Sequence, residues 1–316
     1  MRWIAAAVVV AALAPGDAAG PTDYRTTVVS ITPPTDKIAV EVVGGDAFLE
    51  LTAEPGTNVM VLGYQSEPYL RFRPDGVVLE NQRSPTTYLN RSRYGSTAPA
   101  GADPNLPPDW EVVARGGRYA WHDHRAHWME PDPPRFSVRG DRILDSAVPL
   151  SVDGVDTSVA VAVDWLPSPS RVPLYVGAGI AVALIAVALI LRRRVAWVLL
   201  VTAAAAAGIG WWEYVSLPAE TGPLSVWWLL PMVAVGSAAL ALVLGYRLVS
   251  YALVLLGAIE LGAWVVIRRD GAFRALIPTD APFWLDRGVM AAAAAVAVAA
   301  GISGAVGLYR ASTGPG

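Results

Sequence analysis

The sequence predicts two parts: an all-β extracytoplasmic domain, built as an antiparallel immunoglobulin-like sandwich, and an α-helical transmembrane bundle of about five spans. Three observations predict this. The 316 residues are 54% apolar with a mean hydropathy of +0.42, which is high for a chain surrounded by water. The apolar residues are concentrated beyond residue 171, where Ala, Val, Leu and Gly dominate. Residues 24–166 are instead short alternating, β-branched runs punctuated by Gly, Pro and Asp, the pattern of half-buried strands joined by turns.

Residues 1–20 have a short positive start at Met1-Arg2, an apolar run over 3–13 and small residues at Ala18, Ala19 and Gly20. This is the three-part pattern of a secretory signal peptide, with cleavage expected near 18–20. The β domain is assigned to 21–166. Strands are expected at 26–31, 38–43, 47–52, 58–64, 69–73, 77–79, 111–114, 118–121, 148–152 and 157–165. Gly44-Gly45-Asp46 and Asp153-Gly154 mark hairpins. Segment 84–108, rich in Ser, Pro, Asn, Gly and Ala, reads as a long loop of the kind that carries function or disorder.

Residues 167–172 form a Pro/Ser linker. Apolar spans then follow at about 173–191, 195–211, 224–245, 248–267 and 288–308, most close to the ~20 residues a bilayer requires. A tail over 311–316 ends the chain. Five spans that start outside place that tail in the cytoplasm, so the chain is expected in the cell membrane with its N-terminal domain outside. Arg192-Arg193-Arg194, Arg247 and Arg310 then lie inside, as the positive-inside bias requires. Arg268, Arg269, Arg274 and Arg287 lie outside against that bias, partly offset by Asp270, Asp280 and Asp286. Glu260 falls inside the fourth span, where a carboxylate is costly and marks function or a specific pairing; no partner for it is evident within any span, since Glu213 falls at a span edge.

Composition narrows the chemistry. There is no cysteine, which excludes disulfides, thiolate metal sites, iron–sulfur clusters and cysteine nucleophiles. Residues 21–171 hold 14 Arg and Lys against 20 Asp and Glu. That acidic balance argues against nucleic acid and would attract cations. No activated-nucleophile signature or phosphate loop occurs, so an enzyme is not expected.

One cluster remains. All three histidines of the chain lie in Trp121-His122-Asp123-His124-Arg125-Ala126-His127-Trp128-Met129. On a strand, His122 and His124 would project from one face about 7 Å apart; His127 would join them only if the chain bends near Arg125-Ala126. Asp123 or Met129 could complete a site or orient a ring. Imidazoles without thiolate suit Cu(II) or Zn(II). Negative charge from Asp123, Glu130 and Asp132 is expected to favour protonated rings. The competing reading is a structural edge strand whose histidines pair with acids or carbonyls. Two polar runs, 64–69 and 80–90, read either as a ligand surface beside the histidines or as internally satisfied turns.

The run from Asp23-Tyr24-Arg25 through Leu62-Gly63-Tyr64-Gln65-Ser66-Glu67-Pro68-Tyr69-Leu70, the motif at 121–129, and Val148-Pro149-Leu150-Ser151-Val152-Asp153-Gly154 resemble an uncharacterised family of actinobacterial exported membrane proteins. The resemblance covers the whole ectodomain and implies architecture and location, without an activity. Two functions are therefore expected as alternatives. The first is a membrane-anchored extracytoplasmic protein that binds a divalent metal, copper foremost, through the histidine cluster. The second is a cell-envelope module that binds a protein or glycan through Tyr119, Trp121, Trp128 and loop 84–108, with structural histidines.

Overall fold

The computed structural model describes residues 19–130, 132–190, 195–244 and 246–313. The signal-peptide expectation, apart from its last two residues, and the Arg192-Arg193-Arg194 cluster lie outside the described residues.

An N-terminal antiparallel β region precedes five long apolar helices. Ten strands form: β1 (Tyr24–Thr32), β2 (Ile38–Val43), β3 (Phe48–Ala53), β4 (Val59–Leu62), β5 (Pro68–Phe72), β6 (Val77–Asn81), β7 (Trp110–Arg115), β8 (Arg118–Trp121), β9 (Arg142–Val152) and β10 (Val155–Trp165). They divide into a seven-stranded sheet, ordered β1-β10-β9-β4-β5-β6-β7, and a three-stranded sheet, ordered β2-β3-β8. An antiparallel β region of seven and three strands is what stands of the expected immunoglobulin-like sandwich.

The two sheets share one core. Leu49, Leu51 and Trp121 of the small sheet join Val59, Val61, Leu70, Phe72, Val148, Leu150, Val159 and Val161 of the large one. On β9, and on β10 as far as Val161, the buried residues fall at every second position, because successive side chains of a strand point to opposite faces; Ala162 is buried as well. The β9–β10 hairpin closes through Asp153-Gly154, both at positive φ (48° and 83°), the geometry that matches strand twist and favours this pair. Segment 84–108 is less irregular than expected: Ser84 caps a short helix, α1 (Pro85–Leu89), accepting from the Thr86 amide with Pro85 in the first turn.

The helices are α2 (Val172–Ile190), α3 (Val195–Val215), α4 (Val226–Val243), α5 (Arg247–Arg268) and α6 (Phe283–Thr313). All are long and apolar enough to cross a membrane. Their core is lined with small residues, among them Ala203, Ala206, Ala234, Ala238, Ala258 and Ala293, which let backbones approach closely where lipid supplies no hydrophobic drive. At Gly210 the approach is closest: a Cβ there would sit 1.7 Å from the Trp227 carbonyl oxygen of α4.

Both α3–α4 and α5–α6 connections dock on the β region. Thr22 and Leu276 exchange two backbone hydrogen bonds (3.1 and 2.8 Å). Asp23 accepts from Arg274 Nη1 and from the Ala275 amide, each at 2.9 Å, and from Arg139 Nη2 at 2.9 Å. Burial pushes the Asp23 carboxyl up, but these donors outweigh it and hold it below the ordinary carboxylate range. An apolar cluster of Ala19, Ala47, Phe48 and Ala120 with Leu217 and Trp227 fills the rest of the junction.

This docking gives Arg268, Arg274 and Arg287 partners, while Arg269 is exposed beside Asp270. Arg268, 6% exposed, pairs with Glu213 of α3 and Asp286 of α6, themselves 3% and 1% exposed, and lies over the Trp264 ring. Arg287 donates to the carbonyls of Gly271, Arg274 and Ala275, and Arg274 is held by Asp23. These charges are matched within the protein. Glu260, by contrast, is half-buried on α5 and has no ion-pair partner among the described residues.

The close approach at Gly210 makes a prediction. Gly210→Val must push α3 from α4 or strain both, at a cost of about 1–3 kcal/mol. Thermal unfolding of the detergent-solubilised protein should show a clearly lowered midpoint; an unchanged midpoint would contradict the α3–α4 contact.

Candidate functional site

The histidine motif is a turn, not a strand. Strand β8 ends at Trp121, and the Ala126 amide then donates to the Asp123 carbonyl (2.8 Å). The cause is a buried ion pair. Asp123, 0% exposed, accepts from Arg125 Nε (2.8 Å) and Nη2 (2.7 Å), from the Arg125 amide (3.1 Å) and from Trp121 Nε1 (3.1 Å). Arg125 also donates to the Leu62 carbonyl (3.2 Å) and lies over the Tyr64 ring. The two-nitrogen fork fits both carboxylate oxygens at once, and folding 123–125 onto each other reverses the chain.

The reversal assembles the three imidazoles. The His127 ring centroid lies 5.3 Å from that of His124 and 6.0 Å from that of His122, both edge to face. The bend anticipated near Arg125-Ala126 therefore exists, and it replaces the straight-strand pairing of His122 with His124. Asp123, expected either to complete a site or to orient a ring, accepts from Arg125 and Trp121 and holds the turn. Met129 is half-buried two residues beyond His127.

Each ring is held differently. His122 is stacked on Phe48 with centroids 4.1 Å apart. His124 is stacked on Tyr64 at 5.9 Å, and its Nε2 lies 3.0 Å from the Ser92 carbonyl oxygen. That oxygen can only accept, so Nε2 carries the proton. His127 is 1% exposed, and its Nδ1 lies 3.2 Å from the Trp128 carbonyl oxygen. By the same reasoning Nδ1 is protonated, and Nε2 is a buried lone pair with no hydrogen-bond partner among the described residues.

Burial first, then the positive charge of Arg93 and the other two rings, lowers the His127 pKa to about 3. The expectation of protonated rings is thus reversed at His127. Asp123 is matched by Arg125, and the charge that acts on the ring is the Arg93 guanidinium. Arg93 is itself fixed by a two-pronged pair with Asp46, 1% exposed. Nothing in the motif's own sequence signals Arg93, which lies 34 positions upstream of His127.

The polar runs 64–69 and 80–90 form one hydrogen-bonded network against this cluster, which leaves the buried Asn90 Nδ2 without a partner among the described residues. Glu67, 3% exposed, accepts from Ser84 Oγ (2.6 Å), Thr86 Oγ1 (2.7 Å) and the Gln65 amide (2.9 Å). Burial raises its carboxyl, yet these donors leave it below the usual range. Tyr64 Oη donates to Asn90 Oδ1 and accepts from the His124 amide at 2.8 Å. Loop 84–108 is thereby fastened to the site from which Arg93 and Ser92 reach the rings. Beside His122 a cavity of about 260 Å³ opens between β8, α1 and the turn at Ala219–Thr221; it is lined by Glu80, Asn90, Tyr119, Trp121 and Glu220, among others.

Among the described residues, no group of three or more His, Asp or Glu side chains is set to hold a metal ion as it stands. No family model matches the chain, and neither a curated protein nor a solved structure is similar to it.

The neutral His127 ring makes stability depend on pH. Its folded pKa of about 3 lies below the unfolded value of ~6.5. Above pH 6.5 the ring binds no proton in either state, and its contribution is complete. Below it the unfolded chain takes up a proton that the folded chain refuses, so stability is lost down to about pH 3, by at most ~1.4 kcal/mol per pH unit from this ring. Unfolding midpoints between pH 7.5 and pH 4.5 should fall less steeply in His127→Asn than in the wild type; equal slopes would mean that His127 titrates normally.

Proposed function

We propose that this chain is a membrane-anchored extracytoplasmic protein whose β region, a sandwich module, binds a divalent metal ion through His122, His124 and His127. The observation that carries the reading is the His127 Nε2 lone pair: neutral, buried, without a hydrogen-bond partner among the described residues, and in a ring that meets both other imidazoles. The Nδ1–H···O=C bond to Trp128 is the outer contact that aims the opposite nitrogen of a ligating histidine. Three nitrogen donors with no thiolate in the chain favour Cu(II), with Zn(II) next. Rotation of the His122 and His124 rings out of their edge-to-face contacts with His127 would complete the set, and Asp123 with Arg125 would hold the turn while they move.

The second reading is a cell-envelope module with structural histidines. Its support is the polar cavity beside His122, whose wall includes Tyr119. Against it, Trp121 is 4% exposed with its Nε1 turned to Asp123, and the Trp128 Nε1 is bonded to the Asp132 carbonyl oxygen. The Trp121 indole is buried, and the half-buried Trp128 indole has its N–H engaged locally.

The metal reading is tested on the full-length protein in detergent, loaded with Cu(II) or Zn(II) and desalted. Mass spectrometry should find about one ion per chain in the wild type and almost none in His127→Ala. No bound metal, or the same amount in both proteins, would refute it.

The proposed orientation puts the β region and both docking connections outside, with the tail in the cytoplasm. Because the chain has no cysteine, single substitutions report side directly. Arg269→Cys, exposed beside the β region, should react with a membrane-impermeant maleimide on intact cells. Ser312→Cys, exposed at the other end of α6, should react only after permeabilisation. The opposite pattern would invert the topology.

A further inference from the structure

The segment between the histidine turn and β9 carries apolar side chains in the open. Phe136 is 101% exposed and Val138 is 68% exposed, with Arg135 exposed beside them. A phenylalanine with no covered surface is unusual in a segment whose two roots are both fixed. On one side, Trp128 Nε1 donates to the Asp132 carbonyl (2.9 Å). On the other, Arg139 donates to the Leu166 carbonyl (3.0 Å) and to Asp23 (2.9 Å), and the Gly140 amide donates to the Trp165 carbonyl (2.6 Å).

The second root fixes where the segment lies. Leu166 is six residues before α2 begins at Val172, and the same Asp23 that holds Arg139 holds Arg274 and Ala275 of the α5–α6 connection. Phe136 is three positions before Arg139, so its Cα lies within about 11 Å of the Arg139 Cα. The start of α2 beside it displays Val172 (62% exposed) and Tyr175 (70%), and the start of α6 displays Trp284 (63%). Aromatic side chains at the ends of membrane helices mark the headgroup level. Phe136 therefore hangs from the membrane-proximal rim of the β region, at the level where the helices enter lipid.

We propose that Phe136 and Val138 insert into the interfacial layer of the bilayer that the helices cross, as a shallow second anchor for the β region. The contact is apolar rather than electrostatic. Glu130 and Asp132 precede the segment, Arg139 is bound internally, and Arg135 alone offers an unmatched positive charge to a headgroup phosphate. Insertion is thus independent of anionic lipid, unlike that of a basic surface helix. The anchor also constrains the site. The segment that carries Phe136 is rooted at Trp128, whose carbonyl orients the His127 ring, so membrane contact bears on the turn that presents the histidines.

The absence of cysteine allows a direct test in the full-length protein reconstituted into phosphatidylcholine vesicles. Phe136→Cys and Val155→Cys each receive a nitroxide spin label. Val155 is a matched control: it is also exposed (54%), but it begins β10, roughly 33 Å along the strand from Trp165, the end that leads to α2. The label at 136 is expected to relax chiefly with oxygen, which concentrates in lipid, and the label at 155 chiefly with a water-soluble nickel chelate. Both positions are on the surface, so neither substitution removes core packing. Equal nickel accessibility at the two positions would overturn the proposal. So would a label at 136 shielded from both reagents, which would mean a protein contact instead. Persistence of the oxygen preference in vesicles with and without anionic lipid confirms the apolar character; loss of it without anionic lipid would refute that part.

Discussion

The pairing of Asp123 with Arg125 is the constraint on which the site depends. A carboxylate with no exposed surface is stable only with its oxygens satisfied, and here a guanidinium, an indole and a main-chain amide satisfy them. Removing one partner of such a pair would leave a buried charge and cost about 3–5 kcal/mol. Because the partners are two residues apart, meeting that requirement also bends the backbone. The bend sets His127 against His122 and His124, and the onward bond from Arg125 to the Leu62 carbonyl fastens it to β4. One electrostatic demand thus shapes the turn, orients the rings and locks both to the large sheet.

The same economy of charge governs the junction with the bundle. Asp23 gathers three donors from two distant segments, and Arg268 lies between Glu213 and Asp286 where α3, α5 and α6 converge. In a low-dielectric setting an unmatched charge is expensive, so these groups act as registration points for elements far apart in sequence. The β region is seated on the bundle rather than tethered by its linker alone. Phe48, which stacks on His122, shares an apolar cluster with Leu217 and Trp227, so one wall of the candidate site is part of that seat.

His127 stands apart from this pattern of matched charge. Its environment excludes the proton instead of pairing it, since burial and the nearby Arg93 both disfavour the cation. Neutrality is what a nitrogen ligand requires. It also accounts for the inward-facing network around it: Glu67, Tyr64 and Asn90 fasten loop 84–108, and that loop brings Arg93 to the ring.

Much of the architecture was legible in sequence because its signals are local. Strand alternation, turn residues such as Asp153-Gly154, and apolar runs of bilayer length are read within a few residues, and ten strands and five helices stand where those signals fall. The sequence alone also determined that all three histidines share one short stretch and that no thiolate can join them. Tertiary structure decided what the stretch does. Strand periodicity pairs His122 with His124 and leaves His127 dependent on a bend; the buried pairing of Asp123 with Arg125 makes that bend and sets His127 against both rings. Ser84-Pro85 signalled a helix start, but one turn of helix is too short to show a period. The partners of Arg268 lie 55 positions before it and 18 after it, and Arg93 is similarly remote from His127. Such pairs leave no periodic trace, because charges in a dry interior are matched by proximity in space and not by spacing along the chain.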